Sequence, residues 1–415
     1  MEAPAELVRL EAIKEAHTRI LSHIHRTPLL TSSTLDRIAT ERIGKIGSRI
    51  QIRIAFKSEH LQVVGAFKAR GATNAVSTHL KLLQESHGDS FDPSKLCVVT
   101  HSSGNHAAAV ACAARNIGAR AAVVMPRTAP SIKKSAVANY GARIVESEPT
   151  QAARESTAQA LKDEIESNGS GTIVRFIHPY DDEYVIAGQG TMGLEIVQQA
   201  EELQQGRRSC SAARENVRGG SNTVDDGDVK MWSKRQGDQE PPIDFVVAPV
   251  GGGGMLSGVS TAVKGLDDRI IVIGAEPKEA DDAAQSFESG ILQPAITPPR
   301  TICDGLLTAL SPRTMKHIQR NVKAILTVGE ESILNSLRLV WERMKQIIEP
   351  SAAVGLAVVL DNQDFAKMAH QIANEKRKQR ELSEEEVVEV RIVVVWTGGN
   401  VELDAIISAL SRYKQ

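Results

Sequence analysis

Aromatic side chains are scarce in this 415-residue chain: seven Phe, four Tyr and three Trp, 3% in all. An aromatic platform for stacking nucleobases is therefore not expected. An excess of one charge is missing too, since 49 Lys plus Arg face 51 Asp plus Glu, for a net charge of −2. That excludes a nucleic-acid partner held by bulk positive charge. No apolar run approaches the ~20 residues of a membrane span, so no membrane partner is expected. The first twenty residues mix charge with apolar positions and lack the apolar core of a secretory signal. Cys97, Cys112, Cys210 and Cys303 form no CxxC pair. A reduced, cytoplasmic protein is the expectation. What is present is a 41% hydrophobic content, enough for a core, and 31 glycines that fall largely in clusters.

Short β-branched runs at 51–56, 96–100, 120–125, 142–146, 172–176, 243–248, 270–275 and 391–396 alternate with helical stretches. This predicts an α/β fold of parallel sheets with helices on both faces. Two polar stretches interrupt the alternation and read as insertions: residues 204–242 as a disordered or loop segment, and the charge run 375–389 as a solvated helix end or loop.

Four clusters carry chemistry. Lys68 lies between glycines in Gly-Ala-Phe-Lys-Ala-Arg-Gly-Ala and opens a helical pattern. A cation at the positive end of a helix is not there for stability. Thr100–Ala107, THSSGNHA, puts hydroxyls, an amide and free N–H groups where a strand gives way to a helix, the usual place for an anion. Gly251, Gly252, Gly253 and Gly254 follow another strand and let backbone amides close around a phosphate. A nicotinamide site is the rival, but the GxGxxG spacing and its distant acid are poorly met, and no Walker A loop is present. Thr397-Gly398-Gly399-Asn400 repeats the strand-end pattern. Singly, each has a bland reading, such as a surface lysine or an ordinary helix cap.

In this order GAFKARGA, SSGNHA, EPTQAARES, IAGQGT, GGGGMLSG, GAEPKEADDAAQS, VWERMKQIIEPSAAVG and TGGN resemble the serine racemase and serine/threonine dehydratase family. These are fold-type II pyridoxal phosphate enzymes, similar to the tryptophan synthase β fold. The resemblance implies two parallel-sheet α/β lobes with the cofactor between them. Residues 1–85 and 176–415 would form the large lobe and 86–175 the small one. It also implies a homodimer, and lobe closure over the substrate.

The resemblance assigns roles residue by residue. Lys68 would form the Schiff base with pyridoxal 5′-phosphate and Phe67 would pack beside the ring. Asn105 would meet the ring hydroxyl. Gly251–Gly254 and Met255 would offer amides to the phosphate, and Thr397 would face the pyridine nitrogen, where a hydroxyl cannot hold a proton as a carboxylate would. Ser102, Ser103, Asn105, His106, Arg154 and Thr308 would bind the amino acid. Glu276, the carbonyl of Ala280, and Asp282 would hold Mg²⁺, or Ca²⁺ or Mn²⁺, through oxygen ligands. Ser32, Ser33 and Thr34 match a region near an ATP effector site.

Racemisation needs an acid/base group on each face of the substrate carbon. Lys68 would serve one face and Ser103 the other. Strict threonine dehydratases carry alanine at the latter position, but hydroxyaspartate ammonia-lyases also carry SSGNH. β-Elimination needs only Lys68 and a proton donor for the hydroxyl. A racemase with L-serine/L-threonine dehydratase activity is the expectation. A dedicated threonine/serine dehydratase or 3-hydroxyaspartate ammonia-lyase stands as the alternative. An oxidoreductase and a silent binding protein fit less well.

Overall fold

The computed structural model describes residues 7–44, 49–102, 104–129, 131–168, 171–212, 232, 234 and 240–412. In chain order they form α1 (Leu10–Ile20), β1 (Leu29–Thr31), α2 (Ser33–Gly44), β2 (Ile50–Ser58), α3 (Lys68–His87), β3 (Leu96–His101), α4 (Asn105–Asn116) and β4 (Arg120–Pro126). There follow α5 (Ser131–Asn139), β5 (Arg143–Ser147), α6 (Gln151–Ser167), β6 (Ile173–Phe176), α7 (Glu183–Ala212), β7 (Phe245–Pro249), α8 (Gly254–Leu266), β8 (Ile271–Pro277) and α9 (Asp282–Ser289). The last elements are α10 (Pro312–Asn321), β9 (Ala324–Val328), α11 (Glu330–Leu339), α12 (Pro350–Asp361), α13 (Gln363–Gln379), β10 (Val388–Trp396) and α14 (Leu403–Arg412).

Two sheets result. One has the order β1–β2–β10–β7–β8–β9 and the other β5–β4–β3–β6. Every neighbouring pair is parallel except β1 on β2. Successive strand residues point to opposite faces, and here both faces are covered. Phe245 and Val247 pack with Ile392 and Val394 against α12 and α13. Val246 and Ala248 pack with Val393 and Val395 against α7 and α8. In the smaller sheet Val98 faces α3 and α4, while Cys97 and Val99 face α6. α12 is buried along its length except for Asp361, as a helix wedged beneath a parallel sheet must be. No helix among the described residues is long and apolar enough to cross a membrane.

All eight expected strands are present, and β1 and β9 join them. Both expected insertions need correction. Residues 204–212 are not loop but the last turns of α7. Most of the rest of that stretch lies outside the described residues. In the run 375–389, residues 375–379 belong to α13 and 388–389 to β10. Lys376 is buried because its ammonium donates to Asp244 at 2.6 Å and to the Glu389 carbonyl at 3.0 Å. The smaller sheet draws its strands from residues 96–176, inserted between strands of the larger.

Candidate active site

A cavity of about 160 Å³ opens where the ends of β3, β7 and β10 meet the starts of α3, α4 and α8. This is the side of a parallel sheet where ligands bind, because helix N-termini present free N–H groups there. The chain enters α3 from an extended stretch: Ala66 bridges Gly398, and the Phe67 N–H donates to the Thr397 carbonyl at 3.0 Å. Lys68 therefore stands beside the end of β10. Its ammonium donates to the Pro179 carbonyl at 2.8 Å and lies 5.1 Å from the centre of the Phe67 ring. Burial pulls the Lys68 amine down to about 8, with the Glu349 carboxylate opposing.

The glycine loop cannot carry side chains. A Cβ at Gly252 would stand 2.5 Å from the Tyr180 ring, and one at Gly254 would stand 2.8 Å from the Tyr180 carbonyl. Gly253, at φ +83°, uses the left-handed backbone that glycine permits at no steric cost. The loop thus presents bare backbone at the N-terminus of α8.

Opposite the lysine sits Glu349, just before Pro350 opens α12. Thr397 donates its hydroxyl to one carboxylate oxygen at 3.1 Å and the Asn105 amide donates to the other at 3.0 Å. Asn400 donates in turn to Asn105 at 2.9 Å. Burial, with the Asp304 charge adding, pushes the Glu349 carboxyl up to about 7, against the two hydrogen bonds. Lys133 of α5 pairs with Asp304 across the cavity, at 2.5 Å. Burial and the nearby Lys68 charge hold His106 well below its usual value, so it is neutral at pH 7.

Phe67, Lys68, Ser102, Asn105, His106, Arg154, Gly251, Gly252, Gly253, Gly254, Met255, Thr308 and Thr397 all line this one cavity. Ser103 lies outside the described residues. Arg154 has a buried Nε with no hydrogen-bond partner. Glu276, Ala280 and Asp282 lie apart from the cavity, around the start of α9. Glu276 accepts from the N–H groups of Ala283 and Ala284 at 3.0 and 2.8 Å. Burial lifts its carboxyl to about 9 and that of Asp282 to about 6, with neighbouring acids adding to both. Ser32 occupies a helix-start position, accepting from the Leu35 N–H at 3.4 Å.

Sequence reasoning missed Glu349, Tyr180, Lys133 and Asp304. Glu349 was within reach: an acid directly before the proline of a helix start, in a segment already matched to the family. The other three are brought to the cavity by tertiary packing alone.

The residues present suit pyridoxal phosphate. A half-buried lysine without an ion-pair partner faces a side-chain-free glycine loop at a helix N-terminus, with an amide and a hydroxyl between. Fold and site together define a fold-type II pyridoxal phosphate enzyme. The chain belongs to the pyridoxal-phosphate dependent enzyme family, whose model matches residues 20–208 and 230–377.

Among curated relatives it is 36% identical over 403 residues to the serine racemase of Rattus norvegicus, spanning 97% of this chain and 95% of the relative. It is also 36% identical to the beta-hydroxyaspartate dehydratase of Paracoccus denitrificans, spanning 95% and 96%. Among solved structures, the serine racemase of Dictyostelium discoideum superposes with a TM-score of 0.69 at 36% identity, covering 95% of this chain and 99% of that one. A solved threonine deaminase superposes with a TM-score of 0.67 at 35% identity, with the same coverage of 95% and 99%.

Proposed function

We propose that this protein racemises serine and also eliminates water from serine, threonine and related β-hydroxy amino acids. The observation that carries the reading is the half-buried Lys68, its ammonium held on the Pro179 carbonyl, facing the bare glycine loop in one cavity. Pyridoxal phosphate supplies an electron sink that makes the substrate α-proton acidic. The chain supplies everything else. N–H groups at the start of α4, with Ser102 and Asn105, bind the α-carboxylate. Lys68, whose amine burial pulls down to about 8, moves the α-proton on one face. Ser103 holds the proton on the other. Glu349, tied to Thr397 and Asn105, fixes the groups expected at the ring nitrogen and ring hydroxyl. Closure of the lobes, with Lys133 and Asp304 meeting across the cavity, excludes water.

A second reading is supported by the equally similar dehydratase relative and by Arg154. Its buried guanidinium nitrogen without a partner would suit the second carboxylate of 3-hydroxyaspartate. Incubation with L-serine, L-threonine and 3-hydroxyaspartate, scoring D-amino acid against keto acid, separates the two. Keto acid without any D-serine would sink the racemase reading.

Mg²⁺ is proposed at Glu276, the Ala280 carbonyl and Asp282. The support is a pair of neighbouring buried carboxyls with no ion pair among the described residues and an Asp282 oxygen buried without a partner. Oxygen ligands suit a hard cation, with Ca²⁺ or Mn²⁺ as substitutes. ATP near residues 32–34, a homodimer and a cytoplasmic location complete the proposal, on the family resemblance.

A further inference from the structure

Two residues beyond Lys68, on the first turn of α3, Arg70 is fully buried outside the cavity lining. Its guanidinium donates to Glu59 through Nε and Nη2, both at 2.8 Å. It donates to Glu195 of α7 through Nη1 and Nη2, at 2.7 and 2.8 Å, and to Thr191 at 3.1 Å. Glu195 also accepts from Lys57 at 2.6 Å, and Lys57 donates to the Thr27 carbonyl and to Gln199. The Thr27 hydroxyl donates to Glu59. Two cations and two carboxylates are thus sealed together with no net charge, each at most 1% exposed.

Stability alone does not account for them. Buried ion clusters often stabilise no better than apolar residues of the same shape. A bidentate arginine does, however, fix direction. Here it fixes the rotation of the first turn of α3 against α7. The approach is tight, since a Cβ at Gly188 would lie 2.6 Å from the Arg70 carbonyl. On its other side the same turn is tied to Thr397 and Gly398.

The titratable groups facing the Lys68 amine are Glu349 before α12 and two histidines that burial keeps neutral, His106 on α4 and His178 before α7. Burial and Glu349 set its behaviour. Burial alone would raise the Glu195 carboxyl, but the Arg70 and Lys57 cations hold it at about 2, so it stays ionised and balances them.

We propose that Arg70, Glu59, Glu195 and Lys57 are positioning residues for Lys68, a charge-neutral anchor that fixes where its amine stands while adding no charge to it. The inference rests on Lys68 being the reactive lysine. It is tested on the cofactor-free full chain by trinitrobenzenesulfonate labelling across pH, reading the Lys68 peptide by mass spectrometry. Glu195→Gln leaves an uncompensated cation and should lower the half-labelling pH by at least ~0.5. Arg70→Gln leaves an uncompensated carboxylate and should raise it by as much. The neutral double variant Arg70→Gln/Glu195→Gln should return it to the parent value.

Arg70→Lys keeps the charge but loses the fork. It should leave the profile in place and lower kcat on L-serine at least tenfold with KM within about threefold. If a Glu195 variant does not fold, Glu59→Gln carries the same sign. Identical profiles in all variants, or shifts of one sign for both single changes, would overturn the anchor. Full activity in Lys68→Ala would instead overturn the reading of Lys68, whatever the profiles show.

Discussion

Replacing Glu349 by Gln should stabilise the cofactor-free protein at high pH and not at low pH. The carboxyl is buried, and burial with the Asp304 charge lifts it from 4.5 to about 7 in the folded chain. One pKa unit is worth about 1.4 kcal/mol, so the ionised form costs the fold about 3 kcal/mol. The sign follows from where the protons sit. Below pH 4.5 the group is protonated in both folded and unfolded chains and nothing is lost. Between pH 4.5 and 7 the unfolded chain ionises while the folded one does not, and stability drains away. Above pH 7 the deficit is complete. Glu349→Gln removes the ionisation and keeps groups that can hydrogen-bond with Asn105 and Thr397. Thermal midpoints across about pH 4.5–8.5 should therefore diverge as pH rises, with the variant higher above pH 7. A constant offset between the two chains, or a variant that is less stable at about pH 8, would show that Glu349 is ionised in the fold and that the argument fails.

Gly254→Ala should weaken cofactor binding, because the added Cβ meets the Tyr180 backbone at 2.8–2.9 Å. Overpacking of this kind costs about 1–3 kcal/mol, or roughly 5- to 150-fold in affinity by cofactor titration if the loop takes the whole strain. Ser103→Ala should abolish D-serine formation and leave keto acid release from L-serine. Intact racemisation in that variant would disprove the two-face assignment. Mg²⁺ at about a hundred times its dissociation constant should stabilise the chain by about 2.7 kcal/mol, and Glu276→Gln should remove that gain in thermal melts. Lys68→Ala should lose the visible absorbance of bound cofactor.

Much of this arrangement is legible in the sequence, for reasons that differ by element. β-Branched runs such as 243–248 and 391–396 announce buried parallel strands because both their faces must be apolar. β1 is only three residues, beside Pro28, and β9 is a short run between helices, so neither stands out. The run 375–389 misleads because charge density normally means solvent. Arg377 is buried by donating to the carbonyls of Ser383, Arg49 and Glu386. Arg49 is 328 positions away, and no local pattern reports it. The cavity lining follows the same division. Residues at strand ends, such as Asn105, Gly251 and Thr397, are marked by their motifs. Lys133 and Asp304 meet only once the two sheets are docked.

The strand order has a consequence for synthesis. β10 lies between β2 and β7, pairing Val388 with Ile50 and Ile392 with Phe245. Until it emerges from the ribosome, β1–β2 and β7–β8–β9 are two ribbons with unpaired inner edges and no common sheet. Thr397, the Gly398 bridge to Ala66 and the tie to the turn before Lys68 all wait for the same segment. A nascent chain stopped before residue 388 should therefore be open to pairing with other chains and unable to retain cofactor. Such non-local closure is slow. The inner edge of β2, complete at Ser58, waits for a partner that begins only at Val388.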